Sequence, residues 1–380
     1  MARWIANVDN GLKRVNQAVV HIKGTPLVLS FGGYCNGFDQ LQYMDSHAFN
    51  LKTYLWTELT PARDSTESND KSDDEISTYL PDKRFGHTAT ACGHQVYIIG
   101  GQKSHHPLVN VEMFDVITKK WKRLEPRGTP EPRAGHTACL HGGKIYVFGG
   151  CKGLLFLNSM DVFDPLDGCW TQLDTADPPL YRDFHTATTV DHVMYIFGGR
   201  SDVCAPLYTN TPYYPSDLFK FDFTTNSWYL VAFLGGNPPV GRRSHSAVAR
   251  QKRIYIFGGY NGIYDEYFND FHMFDTENLM WFQMVGIGGP CPTPRRRHGY
   301  CMIDENQMFI YGGTSCGLDD DNDDEEEFDD LSDVSILDFQ PSLRTLAMIA
   351  VAKYKLSHSI LPQSVQTELR CFTQKGISVS

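Results

Sequence analysis

Six short runs of β-branched and aromatic residues along this chain each end in a pair of glycines. They are FGG at 31–33, IGG at 99–101, FGG at 148–150, 197–199 and 257–259, and YGG at 311–313. After each of the first five pairs comes an apolar stretch and then a tryptophan: Trp56, Trp121, Trp170, Trp228 and Trp281. Before five of the six stands Arg-x-x-His, at 84–87, 133–136, 182–185, 242–245 and 295–298. A unit of about fifty residues with a strand-ending glycine pair and a later tryptophan is the sequence form of a four-stranded propeller blade. Six such units predict an all-β, six-bladed propeller.

Within the second unit, HTATA (87–91), QVYIIGG (95–101), VEMFDVI (111–117) and KWKRLEP (120–126) read as four strands, and the later units repeat the same pieces. Polar links such as TK, LDG, TTN and TENL join the third strand to the fourth as hairpins. The sixth unit ends at VSILDF without a tryptophan strand, while the N-terminus begins with RWIANV before its own first strand. Residues 3–8 are therefore expected to complete blade six, with Trp4 in the missing position, which leaves no open sheet edge in the ring. The expected organisation is a propeller over 1–340, a helical extension over 341–370 and a flexible tail over 371–380. Pro341 and SLRTLAMIAVAKYKL carry the helix signals, and LPQSVQTELR (361–370) repeats them.

The net charge of −11 argues against a general nucleic-acid or anionic-membrane surface. No stretch approaches the eighteen apolar residues of a membrane span, and MARWIANVDNG has no apolar h-region. Ten cysteines without a Cys-x-x-Cys point to a reducing compartment, hence a soluble intracellular protein. Three insertions break the period: DSTESNDKSDDE (64–75), SDVCAPLYTNTPYYP (201–215) and the acidic LDDDNDDEEEFDDLSD (318–333).

In an up-and-down blade the start of the first strand and the end of the second share one face of the disc. The Arg-x-x-His segments and the post-glycine residues should therefore converge at one channel mouth, bringing Arg84, Arg133, Arg182, Arg242, Arg243, Arg295, Arg296 and Arg297 together with Arg200 and Tyr260. Guanidinium forks suit carboxylate or phosphate. The arginine and histidine that recur at one register read as architecture, bonding backbone carbonyls. Residues that do not recur there, Arg243, Ser244 and Arg200, are the better ligand candidates. The acidic run reads as solvated charge, or as a cation-selective zone on the mouth's rim. No H-E-x-x-H, P-loop or separate catalytic set occurs, and nothing distinguishes metal ligands among the periodic histidines, so neither an enzyme nor a cofactor or metal is expected.

In the extension, Leu343, Ala347 and Val351 fall at i, i+4 and i+8 on one helical face. Here the chain resembles the kelch-repeat substrate receptors of cullin-2 RING ubiquitin ligases. Ser342, Leu343, Ala347 and Val351 are similar to that family's elongin-binding box, with alanine where cysteine is common. Leu361, Pro362, Val365 and Leu369 are similar to its cullin-2 box. The resemblance implies a substrate adaptor without its own catalytic site, partnered by elongin B/C, cullin-2 and its RING subunit, in cytoplasm and nucleus. It also implies capture of substrate C-termini ending in glycine. Arg200, Arg243 and Ser244 would form the carboxylate clamp, with Arg182, Arg297 and Tyr260 beside it. The competing readings are a kelch scaffold for cytoskeletal or chromatin proteins and a metal-dependent kelch enzyme.

Overall fold

The structure, a computed structural model, describes residues 2–35, 43–59, 79–104, 106–316 and 328–357, and beyond these 359, 361–363, 365, 366 and 369. The described residues form a six-bladed β-propeller. Blades one to five are consecutive four-stranded meanders, from Ala18–His21, Leu27–Phe31, Ser46–Asn50 and Leu55–Glu58 in the first to Ser246–Arg250, Arg253–Asn261, Glu266–Asp275 and Met280–Gln283 in the fifth. Blade six takes Gly299–Ile303, Gln307–Tyr311 and Val334–Asp338 from the end of the propeller sequence and Arg3–Val8 from the N-terminus. Arg3–Val8 runs antiparallel to Val334–Asp338, so the expected closure by residues 3–8 is observed.

Blades one to five turn their outer hairpins the same way. The last residue of the third strand is an aspartate in blades two to five and an asparagine in blade one. Its side chain accepts from backbone N–H groups two and three residues on, as in Asp115 with Ile117 and Thr118 (3.0 and 2.8 Å) and Asn50 with Lys52 and Thr53 (2.9 and 3.3 Å). This Asx turn delivers the chain into the tryptophan strand. The tryptophan then wedges between blades, its ring lying on the residue that precedes the previous blade's glycines. Trp121 meets Phe31 at 5.5 Å, Trp228 meets Phe148 at 4.8 Å, Trp281 meets Phe197 at 5.5 Å, and Trp56 meets Tyr311 at 4.5 Å. Trp4 does the same for blade six against Phe257, at 5.6 Å. The N-terminal strand thus supplies the sixth wedge as well as the sixth edge, and the tilted and edge-to-face ring contacts add to the apolar burial that each wedge brings.

The glycine pair and the arginine segment are two halves of one contact. The N–H of each second glycine donates to the carbonyl of the next blade's first arginine, for example Gly101 to Arg133 and Gly199 to Arg242 at 2.9 and 2.8 Å. The cycle closes from Gly313 to Arg14, also at 2.8 Å. A Cβ on Gly198 would sit 2.5 Å from the Arg242 carbonyl oxygen and 2.7 Å from the His245 ring, which is why the position admits only glycine. Blade one therefore has the arginine segment too, as Arg14-Val15-Asn16-Gln17. Sequence reading missed it because glutamine stands in the histidine's place.

The helix expected after Pro341 runs Leu343–Lys353, with Ser342 as its N-cap accepting from the Thr345 N–H at 3.0 Å. Its buried Met348 and Ile349 join Ile5, Val8, Phe309 and Ile336 of blade six and Val28 and Phe49 of blade one in a single apolar cluster. The extension is thereby seated where the ring closes. The 64–75 insertion and most of the acidic run lie outside the described residues; 201–215 forms an ordered hairpin.

Candidate functional site

The third residue of each arginine segment has a left-handed backbone: Asn16, Gly86, Gly135, Phe184, Ser244 and Arg297, with φ from 48° to 66°. Their backbones form a closed hydrogen-bonded ring about the axis. Gly86 donates to Asn16, Gly135 to Gly86, Phe184 to Gly135, Ser244 to Phe184, Arg297 to Ser244 and Asn16 to Arg297, at 2.7 to 3.2 Å. These six residues and the histidines that follow them border a channel cavity of about 270 Å³. Because three of the six are neither glycine nor asparagine, the ring holds Phe184, Ser244 and Arg297 in a backbone conformation that they would seldom adopt alone.

The second residue of each segment bridges to the first residue after the same blade's glycines. The pairs are Val15 with Tyr34, Phe85 with Gln102, Ala134 with Cys151, Asp183 with Arg200, Arg243 with Tyr260, and Arg296 with Thr314. The mouth is therefore two-sided. Blades one to three present uncharged side chains at these positions, and blades four to six present Asp183, Arg200, Arg243 and Arg296, with Arg297 of the ring beside them.

The candidate residues separate into three groups. Arg182 is not at the ligand face: its guanidinium is fully buried and donates to the Leu180 and Gly198 carbonyls at 3.0 Å each and to Asp217. The expectation that it stands beside the clamp thus gives way to the architecture that its register predicted. Ser244 and Arg297 sit on the axial ring, where Arg297 donates to the Tyr34 hydroxyl at 2.9 Å. Arg200, Arg243 and Tyr260 lie at the outer mouth. Arg200 donates to the Thr209 carbonyl at 3.0 Å and lies 3.6 Å over the Tyr208 ring. Arg243 lies 5.5 Å over Tyr260, whose hydroxyl donates to Asp265 at 2.8 Å.

Arg296, absent from the sequence-derived clamp, shares the same aromatic bed, 4.3 Å over Tyr260, 4.8 Å over Tyr267 and 5.3 Å over Phe328. Stacking fixes a guanidinium's plane while leaving its N–H fork available for an anion. Asp183 was also missed. Its carboxyl is buried, which pushes its pKa up to about 6 although Arg243, Arg200 and Arg297 all pull the other way. Its position, held by apolar or arginine residues in the other five blades, was the available signal.

Among the described residues, the buried polar atoms here without a hydrogen-bond partner include Nε of Arg200, Arg243 and Arg296, Oγ of Ser244, Oδ1 of Asp183 and the Tyr267 hydroxyl. Buried polar groups ordinarily are satisfied. The histidines contribute no charge, since burial pushes His87, His136 and His298 down to about 3 and drives His185 and His245 well below the ordinary value.

The tail residues are divided as well. Leu343 is 86% exposed and Ala347 is exposed, whereas Val351 is half-buried against the cluster that seats the helix. Of the candidate cullin contacts only Pro362 faces outward; Leu361, Val365 and Leu369 pack on the propeller. Leu369 is almost fully buried, so it anchors the segment and is not a free contact residue.

A family model described as the Attractin/LZTR1 β-propeller matches residues 5–266, in agreement with the kelch-type propeller seen here. Over 98% of this chain and 96% of the relative, the sequence is 37% identical to kelch domain-containing protein 3 of Bos taurus. It is 36% identical to the Homo sapiens protein of that name over the same shares. A leucine-zipper-like transcriptional regulator 1 homolog of Drosophila melanogaster is 35% identical over 26% of this chain and 10% of the relative. The chain belongs to the kelch domain-containing protein 3 family.

Proposed function

We propose that the protein is the substrate-recognition subunit of a cullin-2 RING ubiquitin ligase that captures C-terminal degrons ending in glycine at the charged half of the propeller mouth. The observation that carries this reading is the convergence of Arg200, Arg243 and Arg296 on one half of the mouth, where aromatic rings hold their guanidiniums and, among the described residues, no carboxylate lies within ion-pair distance of them. A terminal carboxylate would accept from this cluster, with Ser244 and Arg297 at its inner edge.

The extension supplies the second half. Leu343 and Ala347 present an uncovered small-apolar face to elongin C of the elongin B/C pair, while Met348 and Ile349 fix the helix to the ring. Cullin-2 would meet the outward side of the following segment, around Pro362, and bring its RING subunit with it. The complex would work in cytoplasm and nucleus as an adaptor, with substrates supplied as peptide termini.

The test has two arms. Intact protein should copurify with elongin B and C, and Leu343→Asp should abolish this without unfolding an already exposed site. By calorimetry, a peptide ending in glycine should bind, and amidating its C-terminus should cost about 2–5 kcal/mol, as when a buried charge loses its partner. Equal affinity of acid and amide would overturn the clamp.

A further inference from the structure

Beyond the glycine pairs of blades three and four, two hairpins stand next to the clamp, Cys151–Lys152 with Leu155–Phe156 and Ser201–Asp202 with Pro212–Tyr213. They are stitched to one another. Phe156 N–H donates to the Pro206 carbonyl at 2.8 Å, Tyr208 N–H to the Leu154 carbonyl at 2.9 Å, and Leu155 bridges Leu207. Under the stitch, Phe156 stacks on Tyr208 with ring centres 5.1 Å apart, and Tyr208 is the ring on which Arg200 lies. The lip and the clamp therefore share a side chain.

The exposed surface of this lip is apolar: Leu154 is 70% exposed, Leu155 43%, Val203 76% and Leu207 54%. Single exposed apolar residues need no explanation, but Leu154, Leu155 and Leu207 are brought together by the stitch between the hairpins, with Val203 on the same blade-four hairpin. The corresponding hairpin of blade two carries Lys103 and His106. The hairpin of blade five exposes Ile263 and Tyr264 at its turn, but it is not among the stitched pair.

We propose that this lip reads an apolar side chain located about three to five residues before the substrate's C-terminus, which rests on the carboxylate-clamp reading above. The occupant follows from geometry. A chain bound by its end at Arg200 must leave outward past the hairpins. Between Gly150 and the turn at Gly153 the hairpin rises by roughly 10 Å at about 3.3 Å per residue, so an extended peptide reaches the lip after about three residues. A leucine there would be buried against Leu154, Leu155 and Leu207; a serine would leave all three wet.

The test is fluorescence polarisation on the full chain with labelled twelve-residue peptides ending in glycine that differ only by Leu or Ser at the fourth residue from the end. Each is measured as free acid and as amide, on the wild type and on the Leu154→Ser/Leu207→Ser double variant, with Leu166→Ser, an exposed residue of a distant turn, as control. The leucine peptide should bind about tenfold tighter to wild type and to the control, and the difference should vanish in the double variant, as expected for the burial of one apolar side chain. Equal affinities of the two acid peptides for wild type overturn the proposal, as does a tenfold gap that persists in the double variant. Loss of binding on amidation with no leucine effect would reject the lip and leave the clamp standing; no loss on amidation would reject the clamp itself.

Discussion

Two sets of arginines stand within one face of this molecule and have opposite relations to the fold. In Arg84, Arg133, Arg182, Arg242 and Arg295 every Nε donates to the carbonyl two residues earlier, at 2.9 to 3.3 Å, and Nη1 donates to the first glycine carbonyl of the same blade, at 3.0 to 3.2 Å. Each also meets a carboxylate: Glu112, Asp161, Asp217, Asp270 or Asp333. In Arg200, Arg243 and Arg296 the Nε has no partner among the described residues, and aromatic rings take the place of carboxylates. Arginine itself is therefore uninformative about role. What separates the sets is whether the fold has already used the donors.

The sharpest way to break this distinction is a pair of neighbouring substitutions. Arg242→Ala would take the guanidinium from Asp270 and from the Gly258 carbonyl in the wall of blade five, and should lower stability by about 3–5 kcal/mol in urea or thermal unfolding. Arg243→Ala should change stability by less than about 1 kcal/mol, because it removes a stacked, partly buried group that makes no ion pair among the described residues. Binding should reverse the order of importance: Arg243→Ala is expected to weaken a glycine-ended peptide by about 2–4 kcal/mol in calorimetry. If Arg243→Ala unfolds the protein as readily as Arg242→Ala does, the two sets are one.

Recurrence explains how much of this was legible beforehand. Period, blade number and closure by residues 3–8 could be read because they rest on residues repeated blade by blade, and each repeat is the same hydrogen bond or wedge in a new place. The structural fate of the recurring arginines followed from the same fact, and setting Arg182 beside the clamp ignored it. Asp183 and Arg296 were harder. Their importance comes from neighbours contributed by other blades, and nothing local in Asp183-Phe184 shows that three guanidiniums from three blades will surround the carboxyl. The extension was divided for a similar reason. Helical spacing put Leu343, Ala347 and Val351 on one face, but the position of the apolar cluster at the ring closure decides that Val351 turns partly inward and Leu369 wholly so.

The smallest expected effect concerns the carboxylate among the second set. Asp183 faces Arg200 from its own blade, Arg243 from blade five, Arg297 from blade six and the Cys151 thiol from blade three, and burial raises its pKa to about 6. Its folded value lies above the ordinary 3.8, so the folded state binds more protons than the unfolded chain between those limits, and this group's contribution to stability falls as pH rises from about 4 to 6. Binding has the same sign. Above pH 6 the ionised carboxyl offsets part of the positive cluster and repels an incoming carboxylate, which itself stays ionised down to about pH 4. A bound anion must then raise the Asp183 pKa further, and linkage makes affinity increase as pH falls through this range. A glycine-ended peptide should bind about fivefold tighter at pH 5.5 than at 7.5, with the buried histidines silent because they are neutral throughout. Asp183→Asn should bind at pH 7.5 as the wild type does at 5.5 and lose the slope. A slope that survives in Asp183→Asn would mean that a different group titrates, and that the carboxyl belongs with the satisfied architecture of the first set.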